Sequence, residues 1–76
     1  MSLAEAIRST RKKSLLSQED FAKKLNVSVG SINRWENGKT KPNLTAMKAI
    51  KSFCEENEMN YQLIEKEWLG RSEEDK

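Results

Sequence analysis

Side chains able to make or break bonds are scarce in this chain. It has no histidine, the commonest general base and metal ligand, and a single cysteine, Cys54. One cysteine supplies neither a four-ligand zinc site nor an intramolecular disulfide. Carboxylates are more plentiful, yet most of them fall in the C-terminal third, interleaved with cations as on a solvated helix face. The inventory argues against an enzyme, and no metal or cofactor is expected. What the chain does carry is positive charge in one place. Residues 1–53 hold 11 Lys/Arg against 4 Asp/Glu, a net +7, and residues 54–76 hold 3 against 8, a net −5. A basic segment of this kind suits a polyanion. The acidic segment fits solvation, self-screening or contact with another protein.

Length sets the scale of what must position these charges. The 76 residues make one domain at most, and a chain of this size buries only about 60% of its unfolded surface. That leaves too little core to enclose a substrate cavity and favours a binding module. With no long apolar run and a polar N-terminus, neither a membrane span nor a secretory leader is expected, and the expected location is cytoplasmic.

Helix grammar dominates the chain. Ser2 with Glu5 three residues on forms a capping box for a first helix reaching about Lys13, with Leu3, Ile7 and Thr10 along its buried stripe. Ser17 caps a second, short helix, with Asp20 at the capping-box position and Leu16 and Phe21 placed as a hydrophobic staple; Asn26, tolerant of a left-handed turn, ends it after Leu25. Ser28 caps a third helix, in which Val27 and Ile32 form another staple and Ile32 and Trp35 face inward, and Asn37-Gly38 closes it. After the loop to Pro42, Asn43 caps a fourth helix with an apolar stripe of Leu44, Met47, Ile50 and Cys54, bordered by Phe53. Asn60 caps a fifth helix, Tyr61 to Leu69, with Gly70 as its stop. Its stripe of Tyr61, Ile64 and Trp68 fits packing on the domain or on a second subunit. The expected organisation is a domain over residues 1–69 and an acidic disordered tail over 70–76.

Two short helices joined by about three residues within a basic domain form a helix-turn-helix unit. Ala22 must be small where the next helix crosses it, Asn26 must accept the turn, and Val27, Ile32 and Trp35 must bury the inner face. From Arg11 to about Phe53 the chain resembles the phage-repressor and Cro family of helix-turn-helix regulators, also called the xenobiotic-response-element family. Ser17-Gln18, Phe21-Ala22, Leu25, Val27-Ser28, Ile32, Trp35-Glu36, Gly38 and Pro42 carry the resemblance. The fold it implies is all-α and lambda-repressor-like: a small bundle of about five short helices, with helices 2 and 3 as the helix-turn-helix.

By position, the resemblance implies that the helix from about Ser28 to Asn37 enters the major groove of double-stranded DNA. Val29, Gly30, Asn33 and Arg34 match the positions that approach base edges. Gln18 matches a backbone-phosphate contact, Ser28 and Ser31 match flanking positions that reach phosphate or base, and Asn37, Lys39, Thr40 and Lys41 match the loop that grips the backbone. Within that frame Arg34 suits a bidentate bond to guanine, Asn33 suits adenine, and Val29 offers a methyl surface to thymine. Taken singly, Arg34 is equally at home on a solvated helix face, Gln18 also reads as a helix-start residue and Lys39 and Lys41 as ordinary loop lysines, while Trp35 and Cys54 read as core. Many relatives carry glutamine at the Val29 or Gly30 position, so a relative's operator is not transferable, and many carry glycine at the Leu15 position. Arg11 and Glu36 match a structural ion pair between the first and third helices.

The function expected from the resemblance is a sequence-specific transcriptional regulator, a repressor, on a palindromic operator. A homodimer would space its half-sites by about 34 Å or a multiple, though the C-terminal helix suits a monomer as well. Competing readings are a protein-interaction module, or an antitoxin-type subunit that uses its acidic C-terminal segment on a protein partner, or a DNA-targeting domain for a DNA-modifying enzyme.

Overall fold

In the computed structural model, which describes residues 2–74, each of the first four helices begins where a short polar side chain can serve a free backbone N–H. Ser2, Ser17, Ser28 and Asn43 accept bonds from the N–H groups of Glu5, Asp20, Ser31 and Ala46. The helices that follow are α1 (Leu3–Lys13), α2 (Gln18–Leu25), α3 (Val29–Glu36), α4 (Leu44–Glu56) and α5 (Gln62–Glu74). At Ser2 the box is complete, because the Glu5 carboxylate also accepts from the Ser2 N–H at 3.0 Å. At Ser17 the bond runs one way, from the Asp20 N–H to the serine hydroxyl. Tyr61 begins α5 through its carbonyl, which accepts from the Glu65 N–H at 3.0 Å, while Asn60 Oδ1 accepts from the Gln62 N–H.

Left-handed residues reverse the chain between helices. Asn26 sits at φ 58° between α2 and α3, and Gly38 at φ 73° after α3. Leu15 takes φ 61° between α1 and α2 although it is branched and 91% exposed.

One core unites the elements: Ala6 and Ile7 of α1, Phe21, Ala22 and Leu25 of α2, Ile32 and Trp35 of α3, Ala46, Met47, Ile50, Phe53 and Cys54 of α4, and Ile64 of α5. Phe21 and Phe53 meet edge to face, with ring centroids 5.2 Å apart, a geometry worth about 0.5–1.5 kcal/mol beyond area burial. Thr10 is buried with its hydroxyl donating to the Ala6 carbonyl at 2.9 Å. Cys54 has no exposed surface, and burial pushes its thiol above the usual range, so it packs as a small apolar side chain.

Several expectations need correction. Leu44 is exposed and Ala46 takes the core position beside Met47, so the buried stripe of α4 begins at Ala46. Gly70 does not end α5: its backbone stays helical and the helix continues to Glu74. The boundary expected after residue 69 therefore falls inside a helix, and positions 75 and 76 of the expected tail lie outside the described residues. Tyr61, Ile64 and Trp68 pack on this same domain, with Ile64 fully buried. No described helix is long and apolar enough to cross a membrane.

Candidate nucleic-acid interface

The helical period divides α3 into two faces. Ile32, Trp35 and Glu36 are buried, so Val29, Asn33 and Arg34 are turned outward and exposed. Asn37, Lys39, Thr40 and Lys41 continue this exposed surface into the loop, and Ser28 is exposed at the start of α3. The structure thus places Val29, Gly30, Asn33 and Arg34 on the outer side of α3 with Ser28 and Ser31 beside them, and leaves Asn37, Lys39, Thr40 and Lys41 exposed beyond its C-terminal end.

Side-chain bonds order that face. Ser28 and Ser31 hydroxyls lie 3.0 Å apart, and Arg34 Nη2 reaches the Ser31 hydroxyl at 3.4 Å. Arg34 lies back along its own helix, over Gly30. A Cβ at Gly30 would stand 3.4 Å from the Arg34 guanidinium. A side chain at Gly30 would thus touch the end of Arg34 at ordinary contact distance. One turn on, Asn37 Nδ2 donates to Asn33 Oδ1 at 3.1 Å, which orients the Asn33 amide.

Glu36 is the anchor beneath this face. Its carboxylate is 1% exposed and lies against Arg11, whose Nε and Nη2 donate to its two oxygens at 2.7 and 3.0 Å. Arg11 Nη1 also donates to the Leu16 carbonyl at 2.9 Å, so one guanidinium ties α1 to the turn before α2 and to the end of α3. Burial pushes the Glu36 carboxyl up, but bonds from Arg11 and Gln18 and the charges of Arg11 and Arg8 outweigh it. The net position is below the usual carboxylate range. On the other side, the bonds to Glu36 hold the Arg11 guanidinium above its ordinary value, against its own burial.

Gln18, matched to a phosphate contact, is half-buried and donates from Nε2 to Glu36 Oε1 at 3.1 Å. This bond uses one amide hydrogen; the other hydrogen and the Oε1 acceptor remain for a further partner. Gln18 is thereby held in a set geometry relative to α3. Arg8 was missed in the sequence reading. Its Nη2 donates to the Glu36 carbonyl at 3.0 Å, satisfying a free acceptor at the C-terminal end of α3 where a cation is favoured. Its spacing of three from Arg11, on the same face of α1, was the available signal. Also missed was the Trp68 indole, which donates to the Pro42 carbonyl at 2.7 Å and so joins α5 to the end of the loop.

Among the described residues no group of three or more His, Cys, Asp or Glu side chains is placed to hold a metal ion. The chemistry present is instead a guanidinium, three amides, hydroxyls and loop ammoniums, with the exposed methyls of Val29. These are groups that bond base edges and phosphate oxygens.

Residues 7–56, well over half of the chain, match the family described as Helix-turn-helix. Searches of curated proteins and of solved structures gave no match. The matched segment spans α1 to α4 and contains both the α2–α3 pair and the Arg11–Glu36 anchor. The chain belongs to the helix-turn-helix family of the Cro and phage-repressor type, a family of DNA-binding domains.

Proposed function

We propose that this chain is a sequence-specific transcriptional regulator, acting as a repressor, that reads double-stranded DNA in the major groove with α3. The observation that carries the reading is the outer face of α3, where Val29, Asn33 and Arg34 stand exposed, backed by the buried Ile32, Trp35 and Glu36. In this reading Arg34 bonds a guanine, Asn33 an adenine, Val29 packs on a thymine methyl, and Gly30 lets the helix approach. Gln18, Ser28, Ser31, Asn37, Lys39, Thr40 and Lys41 hold the phosphates on either side and fix the register.

A homodimer on a palindromic operator, in the cytoplasm, completes the proposal, with half-sites about 34 Å apart or a multiple. Leu63 and Leu69 stay partly exposed on α5 within the acidic segment, which supports a protein contact there in addition to DNA. Selection from a randomised duplex pool tests the reading. A palindromic motif is expected, with retention falling steeply as salt is raised. No motif and no retention even at low salt would turn the assignment toward protein partners.

A further inference from the structure

The loop between α3 and α4 has little of its own to hold it. After Gly38, the Lys39 N–H donates to the Arg34 carbonyl at 2.9 Å, and the next backbone donors tied down are those of Ala46 and Met47, both bonded to Asn43. Among the described residues, no hydrogen bond within the chain restrains Thr40 or Lys41, and both are exposed. Such a segment would lose conformational freedom on gripping a phosphate, which weakens the grip.

Trp68 supplies the missing restraint from a different part of the chain. It lies on α5, one turn after the fully buried Ile64, outside the family match over residues 7–56. Its Nε1–H donates to the Pro42 carbonyl at 2.7 Å, and Pro42 is itself buried. The Lys41 ammonium stands 5.2 Å from the centroid of the same indole, within reach of a cation–π attraction. One side chain therefore pins the loop's last carbonyl and steadies its last cation. A cleft of about 630 Å³ opens beside this contact, between the start of α1, the loop and α5.

We propose that Trp68 is a positioning residue for DNA binding: α5 uses it to hold the Gly38–Pro42 loop in the geometry that places Lys41 on a phosphate. The proposal rests on the reading of that loop as a phosphate clamp. It extends the DNA-binding machinery to a helix beyond the family-matched segment.

By thermodynamic reciprocity, if the Trp68 contact strengthens DNA binding by some factor, bound DNA must strengthen the contact by the same factor. The test uses the full chain with a mixed-sequence DNA duplex, to which phosphate contacts supply the affinity. Trp68→Phe keeps an aromatic ring but removes the indole N–H together with the five-membered ring that carries it, so both the bond to Pro42 and part of the surface under Lys41 are lost. It is expected to weaken duplex binding about 2- to 10-fold, the range for releasing one ordered side chain. The salt slope should become shallower by about 0.9, one phosphate contact. In the Lys41→Gln background the same substitution should have little effect on either quantity. A merely structural role would lower the melting temperature without touching the salt slope. The second measurement needs no variant: hydrogen exchange of the Trp68 indole proton, followed by NMR, should slow by a like factor when duplex is added. Trp68→Phe binding as tightly as the parent, or more tightly, with an unaltered slope overturns the proposal. So does indole exchange that DNA leaves unchanged. If the parent chain itself fails to bind duplex at low salt, the DNA-reading assignment and this inference fall together. Binding by the parent with no effect at Trp68 removes the inference alone.

Discussion

Arg11 and Glu36, 25 positions apart in sequence, meet in a two-pronged ion pair at 2.7 and 3.0 Å that joins α1 to the last turn of α3. The carboxylate side chain is 1% exposed and that of the arginine 13%, so neither charge has much water to fall back on. Glu36→Ala should cost roughly 3–5 kcal/mol, since it leaves a mostly buried guanidinium without its partner. A domain of this size has only about 5–10 kcal/mol in total. The double change Arg11→Met with Glu36→Leu should cost less than Glu36→Ala alone. Urea unfolding of Arg11→Met, of Glu36→Leu and of the double measures the coupling. Additive losses would mean that the pair does not act as a unit.

Acid should expose the same pair. The folded Glu36 carboxyl titrates below its ordinary value, so in acid the unfolded chain binds more protons than the folded one. The stabilisation is complete above about pH 4.3, the usual glutamate value. It is lost as pH falls through the lower folded value. Melting temperature should therefore drop as pH falls below about 4.5, and Glu36→Gln should flatten that dependence. Some slope will persist in the variant, because Glu5 is also held low by its bond from the Ser2 backbone. Superimposable profiles for parent and variant would assign the acid sensitivity elsewhere.

Leu15 offers a gain. Its left-handed backbone costs an L-residue roughly 1–2 kcal/mol that glycine is spared, and a side chain 91% exposed contributes almost no burial in return. Glycine gives back about 0.4–1 kcal/mol through the greater freedom of the unfolded chain. Leu15→Gly should therefore stabilise the domain by about 0.5–1 kcal/mol. Thermal unfolding reads this directly, and a lower melting temperature would show that Leu15 is not strained.

Arg34 and Lys41 should separate base reading from phosphate holding. Arg34→Ala is expected to lose about 1–3 kcal/mol on the selected site and to relax preference at one base pair. Lys41→Ala should weaken all duplexes about equally and lower the salt slope by about one contact. Titrations of each variant against the selected site and a scrambled duplex distinguish the two. A base-selective loss at Lys41 would reverse its assignment.

How legible each feature was in the sequence depended on the range of the interaction that creates it. The caps at Ser2, Ser17, Ser28 and Asn43 and the turn at Asn26 are local, and their positions agree with the structure. The helix-turn-helix grammar and the Arg11–Glu36 pair were legible through the family resemblance. Three other features were not. Arg8 on the Glu36 carbonyl, Gln18 on its carboxylate and Trp68 on Pro42 each join residues 18 to 28 positions apart. Nothing local in the chain specifies such partners. Leu44 misled because a leucine at stripe spacing looks more apolar than the small Ala46 that is buried in the same first turn. Gly70 misled because glycine is tolerated inside a helix at a cost of about 1 kcal/mol, and ends one only where the backbone turns left-handed.

The complete burial of Cys54 gives the molecule a clock. A thiol with no exposed surface, and with its thiolate disfavoured by burial, is closed to reagents while α4 stays packed. Each modification then records one opening of the core. When reclosing outpaces the reagent, the labelling rate equals the free-thiol rate multiplied by the open fraction. The chain's only cysteine thus times its own breathing without an introduced probe, from a position inside the core.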